Sequence, residues 1–180
     1  MHPPMCWVCR MFWRYGMTPL VIVGIDPGLT GAIAIINAGT GALIDVVDMP
    51  TMPTTKGKHD ISAPLLADLL RHERIHLAVV EQVHSMPAQG VASSFKFGLG
   101  YGTILGVLGT IGAPIRHVTP QQWKKAMRVT ADKGTARTRA TETWPAHAHL
   151  FARAKDDGRA EAALIARWAF ENLTLRPVAA

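Results

Sequence analysis

Two short apolar runs in this chain each end on a single carboxylate. Leu20-Val21-Ile22-Val23-Gly24-Ile25 runs into Asp26-Pro27-Gly28, and Ile75-His76-Leu77-Ala78-Val79-Val80 runs into Glu81. Val- and Ile-rich runs of this length, bounded by turn residues, read as strands buried on both faces. A carboxylate at the end of such a strand is costly unless it is paired or bound to a cation. It is well placed for chemistry, because open α/β sheets bind ligands at the carboxyl ends of their strands. Two acids presented this way suit a hard cation, or a cation carrying a phosphate.

Further acids come from the C-terminal stretch Lys155-Asp156-Asp157-Gly158-Arg159-Ala160-Glu161-Ala162-Ala163-Leu164-Ile165. From Arg159 onward this is a strong helix former. Asp157 and Glu161 are four apart and share a helical face, whereas Asp156 is displaced around the axis. Glu161 lies among alanines, leucine and isoleucine, where an unpartnered charge would cost stability. Asp26, Glu81, Asp157 and Glu161, from three separate elements, are four candidate acids able to converge on one crevice. Gly158 leaves open a bend that would turn Asp156 inward instead.

These motifs carry a resemblance. Gly24-Ile25-Asp26-Pro27-Gly28-Leu29-Thr30-Gly31-Ala32 resembles the first motif of RuvC-type Holliday junction resolvases. Val79-Val80-Glu81 resembles their second motif, and Asp157-Gly158-Arg159-Ala160-Glu161-Ala162 the last motif of the phage-type branch. The likeness runs over about residues 20–172. The last pair of ligands is four apart here, where better-known bacterial members space theirs by three. The resemblance implies a ribonuclease H-like fold, a homodimer, and metal-dependent cutting of four-way and other branched DNA. It implies two Mg²⁺ ions, replaceable by Mn²⁺, with Asp26 bridging them, Glu81 on one, and Asp157 and Glu161 on the other. Paired ions of this kind clamp the attacking and leaving oxygens of a phosphodiester.

The resemblance also suggests DNA contacts. Ser94, Phe95 and Lys96 follow the loop 82–90, and Phe95 is similar to the aromatic residue that family members insert at the junction. Lys124, Lys125 and Lys133 match lysines that face phosphates. Arg137 and Arg139 read as an ordinary charged helix face.

Composition is consistent with a nucleic-acid enzyme. The 180 residues suffice for one well-cored domain, and 48% are hydrophobic. The formal charge of +6 is uneven: residues 116–180 carry 12 Lys and Arg against 6 Asp and Glu, and the rest balance. A basic region beside an acidic site suits a polyanionic substrate. No run reads as long enough for a membrane anchor. Cys6 and Cys9 form one CxxC without a second pair, so they read as incidental thiols of a reducing, cytoplasmic compartment (host cytoplasm if phage-encoded). Residues 1–16 read as an extension upstream of the native start, with a packing arm as the alternative, and residues 17–180 as one nuclease domain.

The elements that must position the acids follow in order. Strands are predicted at Leu20–Ile25, Gly31–Asn37, Gly41–Asp48, Ile75–Glu81 and Ile115–Val118, with a polar loop at Met49–Asp60. Helices are predicted at Ser62–His72, Ser93–Gly112, Thr119–Met127, Lys133–Trp144 and Arg159–Asn172, with His147 and His149 in a surface loop. Ser62 and Thr119 read as helix caps. The second helix carries six glycines, which predicts close packing against the sheet or against another helix. The sum is an α/β fold, a ribonuclease H-like mixed five-stranded sheet flanked by helices. Three rivals fit parts of the pattern: an ATP-binding or phosphotransfer domain using the Asp26-Gly28-Thr30 loop, a non-catalytic branched-DNA-binding module, and an RNA nuclease of the same fold.

Overall fold

The computed structural model describes residues 19–55, 57–82, 90–132 and 134–173. The extension at residues 1–16, both cysteines and Lys133 lie outside the described residues.

Three strands open the chain: β1 (Leu20–Asp26), β2 (Ala32–Asn37) and β3 (Leu43–Asp48). A short hairpin of β4 (Thr51–Pro53) and β5 (His59–Ile61) follows, then α1 (Ala63–Leu70), β6 (Arg74–Glu81), α2 (Val91–Thr110) and β7 (Ile115–Val118). The chain continues with α3 (Pro120–Met127), α4 (Thr135–Thr143), two 3₁₀ segments (Pro145–Phe151 and Ala154–Asp156) and α5 (Asp157–Leu173). The main sheet has five strands in the order β3-β2-β1-β6-β7. β1, β2 and β3 pair antiparallel, and β1-β6-β7 pair parallel. This is the mixed α/β sheet that the sequence predicts.

Alternation along β1 divides the core in two. Val21, Val23 and Ile25 pack with Leu66 and Leu70 of α1 and Ile104, Val107 and Leu108 of α2. Ile22, on the opposite face, packs with Val79, Trp123 and the alanine-rich α5. Each of these buried aliphatic side chains is worth roughly 1.5–3 kcal/mol of transfer free energy. Helix α5 approaches unusually closely at one point. A Cβ on Gly24 would stand 2.2 Å from the carbonyl oxygen of Ala162 and 2.5 Å from the amide nitrogen of Ala166. Helix and strand therefore meet backbone to backbone there.

Four expectations need correction. The loop predicted at Met49–Asp60 contains the β4–β5 hairpin, whose strands are only three residues each and too short to give an alternating pattern. The stretch holding His147 and His149 is a 3₁₀ segment and not an open loop, with Phe151 buried at its end. Helix α2 is, by length and composition, able to cross a bilayer, against the reading that no run is long enough. Its apolar side chains Ile104, Val107 and Leu108 are buried in the domain core instead. Its glycines do not mark tight packing on the sheet. An added Cβ at Gly98, Gly102, Gly106 or Gly109 would meet nothing within 4 Å, and only Gly100 is close, 3.1 Å from Ile61.

Candidate active site

Register brings the first two acids together. Ile25 of β1 pairs with Val80 of β6 in parallel, so the residues that follow, Asp26 and Glu81, end neighbouring strands at the same edge. Glu81 is 7% exposed. Its Oε1 accepts a 2.7 Å hydrogen bond from the indole Nε1 of Trp123, which is itself fully buried. Thr119 starts α3 with a reciprocal capping box to Gln122 and fixes the helix that carries Trp123.

Helix α5 supplies the other two. A Cβ on Gly158 would lie 2.5 Å from the carbonyl oxygen of Thr30 and 3.1 Å from Oδ2 of Asp26. The missing side chain lets the first turn of α5 rest on the turn after β1. A cleft of about 550 Å³ opens there, lined by Asp26, Thr30, Asp48, Asp157 and Glu161 among others. Asp48 is occupied by Arg159 through two bonds, of 2.5 and 2.8 Å, which hold its carboxyl below the usual range.

Asp156 and Asp157 part company. Asp156 is 1% exposed and is gripped by Arg153 through the backbone N–H at 2.8 Å and the guanidinium at 2.8–3.1 Å. It serves as the stop that turns the preceding segment into α5. Asp157 is half-exposed, lines the cleft and pairs with Arg137 at 2.7 Å. Helix α5 begins at Asp157, two residues before the predicted Arg159, so Gly158 bends nothing.

The electrostatics are those of a crowded acid cluster. Burial pushes Asp26 up to about 7, and the charges of Glu161 and Glu81 push the same way. The Gly28 N–H and Lys124 oppose the shift without offsetting it. Burial also raises Glu81, against the lowering effect of the Trp123 bond. The ammonium of Lys124 lies 3.0 Å from Oε1 of Glu161 and lowers both Asp26 and Glu81. Among the described residues, no three of these carboxylates or imidazoles are gathered closely enough to close on one ion. Glu81, Glu161 and Asp157 each have a protein partner instead: Trp123, Lys124 and Arg137. The donor set is nonetheless all carboxylate oxygen, carries excess negative charge, and fits Mg²⁺ or Mn²⁺.

The predicted DNA-contacting residues separate. Phe95 is 73% exposed and so is not a core residue. Ser94 is half-buried beside it, and Lys96 is paired with Asp60 at 3.0 Å. Lys125 is exposed, whereas Lys124 belongs to the acid cluster. Sequence reasoning missed Trp123 and Tyr101. Tyr101 Oη lies 2.9 Å from Nδ1 of His117, and its phenol is raised by burial and then by the charge of Glu81. Neither is flagged by local spacing, because Trp123 is 42 residues from Glu81 in the chain.

No family model matches the chain. A protein of Nitratidesulfovibrio vulgaris, named crossover junction endodeoxyribonuclease RuvC, is 33% identical over 116 residues. Over that stretch the chain is similar to a RuvC. The alignment covers 60% of this chain and 66% of that RuvC, a little under two thirds of its length. The fold agrees. The structure of Thermus thermophilus RuvC in complex with Holliday junction substrate matches with a TM-score of 0.57 and 17% identity, over 86% of this chain and 97% of that one. A structure of Thermus thermophilus RuvC matches with a TM-score of 0.54 and 20% identity, over 83% and 95%. The chain thus shares the fold of those structures, and its own Asp26 and Glu81 stand at the carboxyl edge of β1 and β6.

Proposed function

We propose that this chain is a metal-dependent endonuclease that cleaves Holliday junctions or related branched DNA by phosphodiester hydrolysis. The carrying observation is the meeting of Asp26 and Glu81 at the ends of paired parallel strands, with Glu161 of α5 close enough to raise both. Carboxylates that repel one another suit a divalent cation better than a small organic ligand. The RuvC relative supports the choice of a crossover-junction DNA substrate.

In this reading Asp26, Glu81, Asp157 and Glu161 would hold the Mg²⁺. Bound metal supplies charge neutralisation of the scissile phosphate and an activated water. The protein's own groups do the rest. Trp123 holds the Glu81 carboxylate in one orientation. Lys124 balances the cluster before the cations arrive. Phe95, exposed at the start of α2, is free to stack on an unpaired base, and Lys125 faces solvent where a phosphate can reach it. The open glycine face of α2, with Val91 and Leu99 exposed beside it, suits a second copy of the chain. The enzyme works in the cytoplasm, where its DNA substrate lies.

The test is incubation of purified protein with four-way, three-way and linear DNA, with and without Mg²⁺. Metal-dependent cutting of the branched substrates, absent in Asp26→Asn, is expected. Equal cutting of linear DNA, or none with any metal, would remove the reading.

A further inference from the structure

A second concavity lies beside the acid cleft and is of the opposite charge. It encloses about 740 Å³ between the C-terminal end of α3, helix α4 and the segment before α5. Arg128, Arg137 and Arg139 line it, with Thr135, Thr138 and Glu142. Three guanidiniums against one carboxylate leave it cationic.

The donors are not all spent. Arg139 gives Nε to the carbonyl of Met127 at 3.1 Å and one amino group to Glu142 at 3.4 Å. Arg137 gives Nε to Asp157 at 2.7 Å. Arg128 is exposed; its backbone N–H closes α3 on the carbonyls of Lys124 and Lys125, while its guanidinium has no hydrogen-bond or ion-pair partner among the described residues. It is also held at φ 57, the one non-glycine residue with positive φ among those described. A long cationic side chain gains nothing from that backbone, where glycine or asparagine is the usual choice. Helix α4 adds its own positive end: Gly134 caps it without a side-chain bond, and its first turn holds no acid. The threonine hydroxyls contribute little, because Thr135 and Thr138 already donate to backbone carbonyls.

We propose that this groove is an anion subsite that takes a phosphodiester of the substrate strand next to the scissile phosphate. The inference rests on the proposed action on DNA and adds where the flanking backbone is held. Arg137 belongs to both places, since it lines the groove and bonds Asp157. A phosphate seated there is one side chain away from the acids, which fixes the strand relative to the cleft. The planar fork of an arginine suits a phosphate, and Arg128 is the free member.

The experiment uses the full chain in EDTA, so that binding is separated from cutting. Affinity for a labelled linear duplex and for a four-way junction is measured by fluorescence anisotropy across a KCl series. Arg128→Asn keeps a residue that tolerates positive φ and removes the charge. It is expected to weaken binding of both DNAs and to flatten the log–log salt slope by about 0.9. In parallel, inorganic phosphate is titrated while the arginine Nε–H resonances are followed. Shifts in the wild-type chain that vanish in Arg128→Asn are expected. Unchanged affinity and slope in the variant, with the wild-type melting temperature, would overturn the subsite. If wild-type protein binds phosphate and DNA here but never cuts a junction, the proposed activity fails and the subsite stands.

Discussion

Trp123 donates its indole N–H to Oε1 of Glu81 across 2.7 Å, with both groups buried. The bond restrains the orientation of the Glu81 carboxylate, which in the proposed site would hold a cation. Trp123→Phe keeps the ring and removes the donor. We expect the single-turnover cleavage rate to fall about 10–100-fold, as for other groups that orient a metal ligand. The apparent Mg²⁺ requirement should rise with it, and a Mg²⁺ titration of the rate checks this. Wild-type rates at every Mg²⁺ concentration would make the bond purely structural.

Asp26 gives a pH dependence with a definite sign. Its carboxyl is raised from 3.8 to about 7, so the native metal-free chain holds a proton that the unfolded chain has released. The stability contributed by Asp26 is full below pH 3.8 and is lost as pH rises through about 7. The penalty is at most about 4 kcal/mol. Asp26→Asn should therefore stabilise the metal-free chain above pH 7 and do little near pH 4. Urea unfolding in EDTA at both pH values tests it. An equal effect at the two would refute the burial argument.

The two adjacent aspartates should fail in different ways. Asp157→Asn and Glu161→Gln are expected to lower single-turnover cleavage severely with little change in melting temperature. Asp156→Asn should cut at a near-normal rate but melt lower, because Arg153 loses its buried partner. The expected fall is about 2–4 °C for each kcal/mol lost. A stable but inactive Asp156→Asn would reverse the assignment.

The two neighbouring lysines should also separate. Lys125→Ala is expected to flatten the salt dependence of junction binding by about one unit. Lys124→Ala removes the ammonium 3.0 Å from Glu161. In DNA-free protein it should let Mg²⁺ bind more tightly, because a competing cation has gone. Calorimetric titration of Mg²⁺ into both variants distinguishes them, and a tighter site in Lys125→Ala alone would contradict the geometry.

Much of the frame was legible because it rests on local pattern. The Val and Ile runs before Asp26 and Glu81 announce buried strands, and the turn between β2 and β3 is bounded by Asn37 and Gly41. Ser62 and Thr119 cap their helices as their side-chain chemistry suggests. What stayed hidden depends on partners distant in sequence. Nothing near Trp123 points to Glu81, and nothing near Arg137 points to Asp157. The β4–β5 hairpin was missed because three-residue strands carry no period. The glycines of α2 misled for a related reason. A residue without a side chain signals that space is needed, but not whether the neighbour lies inside the same chain.

The contact at Gly24 bears on how this chain can change. Helix α5 sits on β1 with main chain against main chain, so no rotamer lies between them to absorb a shift. Asp26 and Glu161 thus behave as marks on one rigid ruler. Under the proposed function, substitutions elsewhere would alter which DNA is brought to the ruler, through Phe95, Lys125 or the arginine groove. They cannot easily alter its spacing. Variation in substrate choice is then cheap and variation in cutting geometry is not, which directs any redesign of this chain toward its periphery.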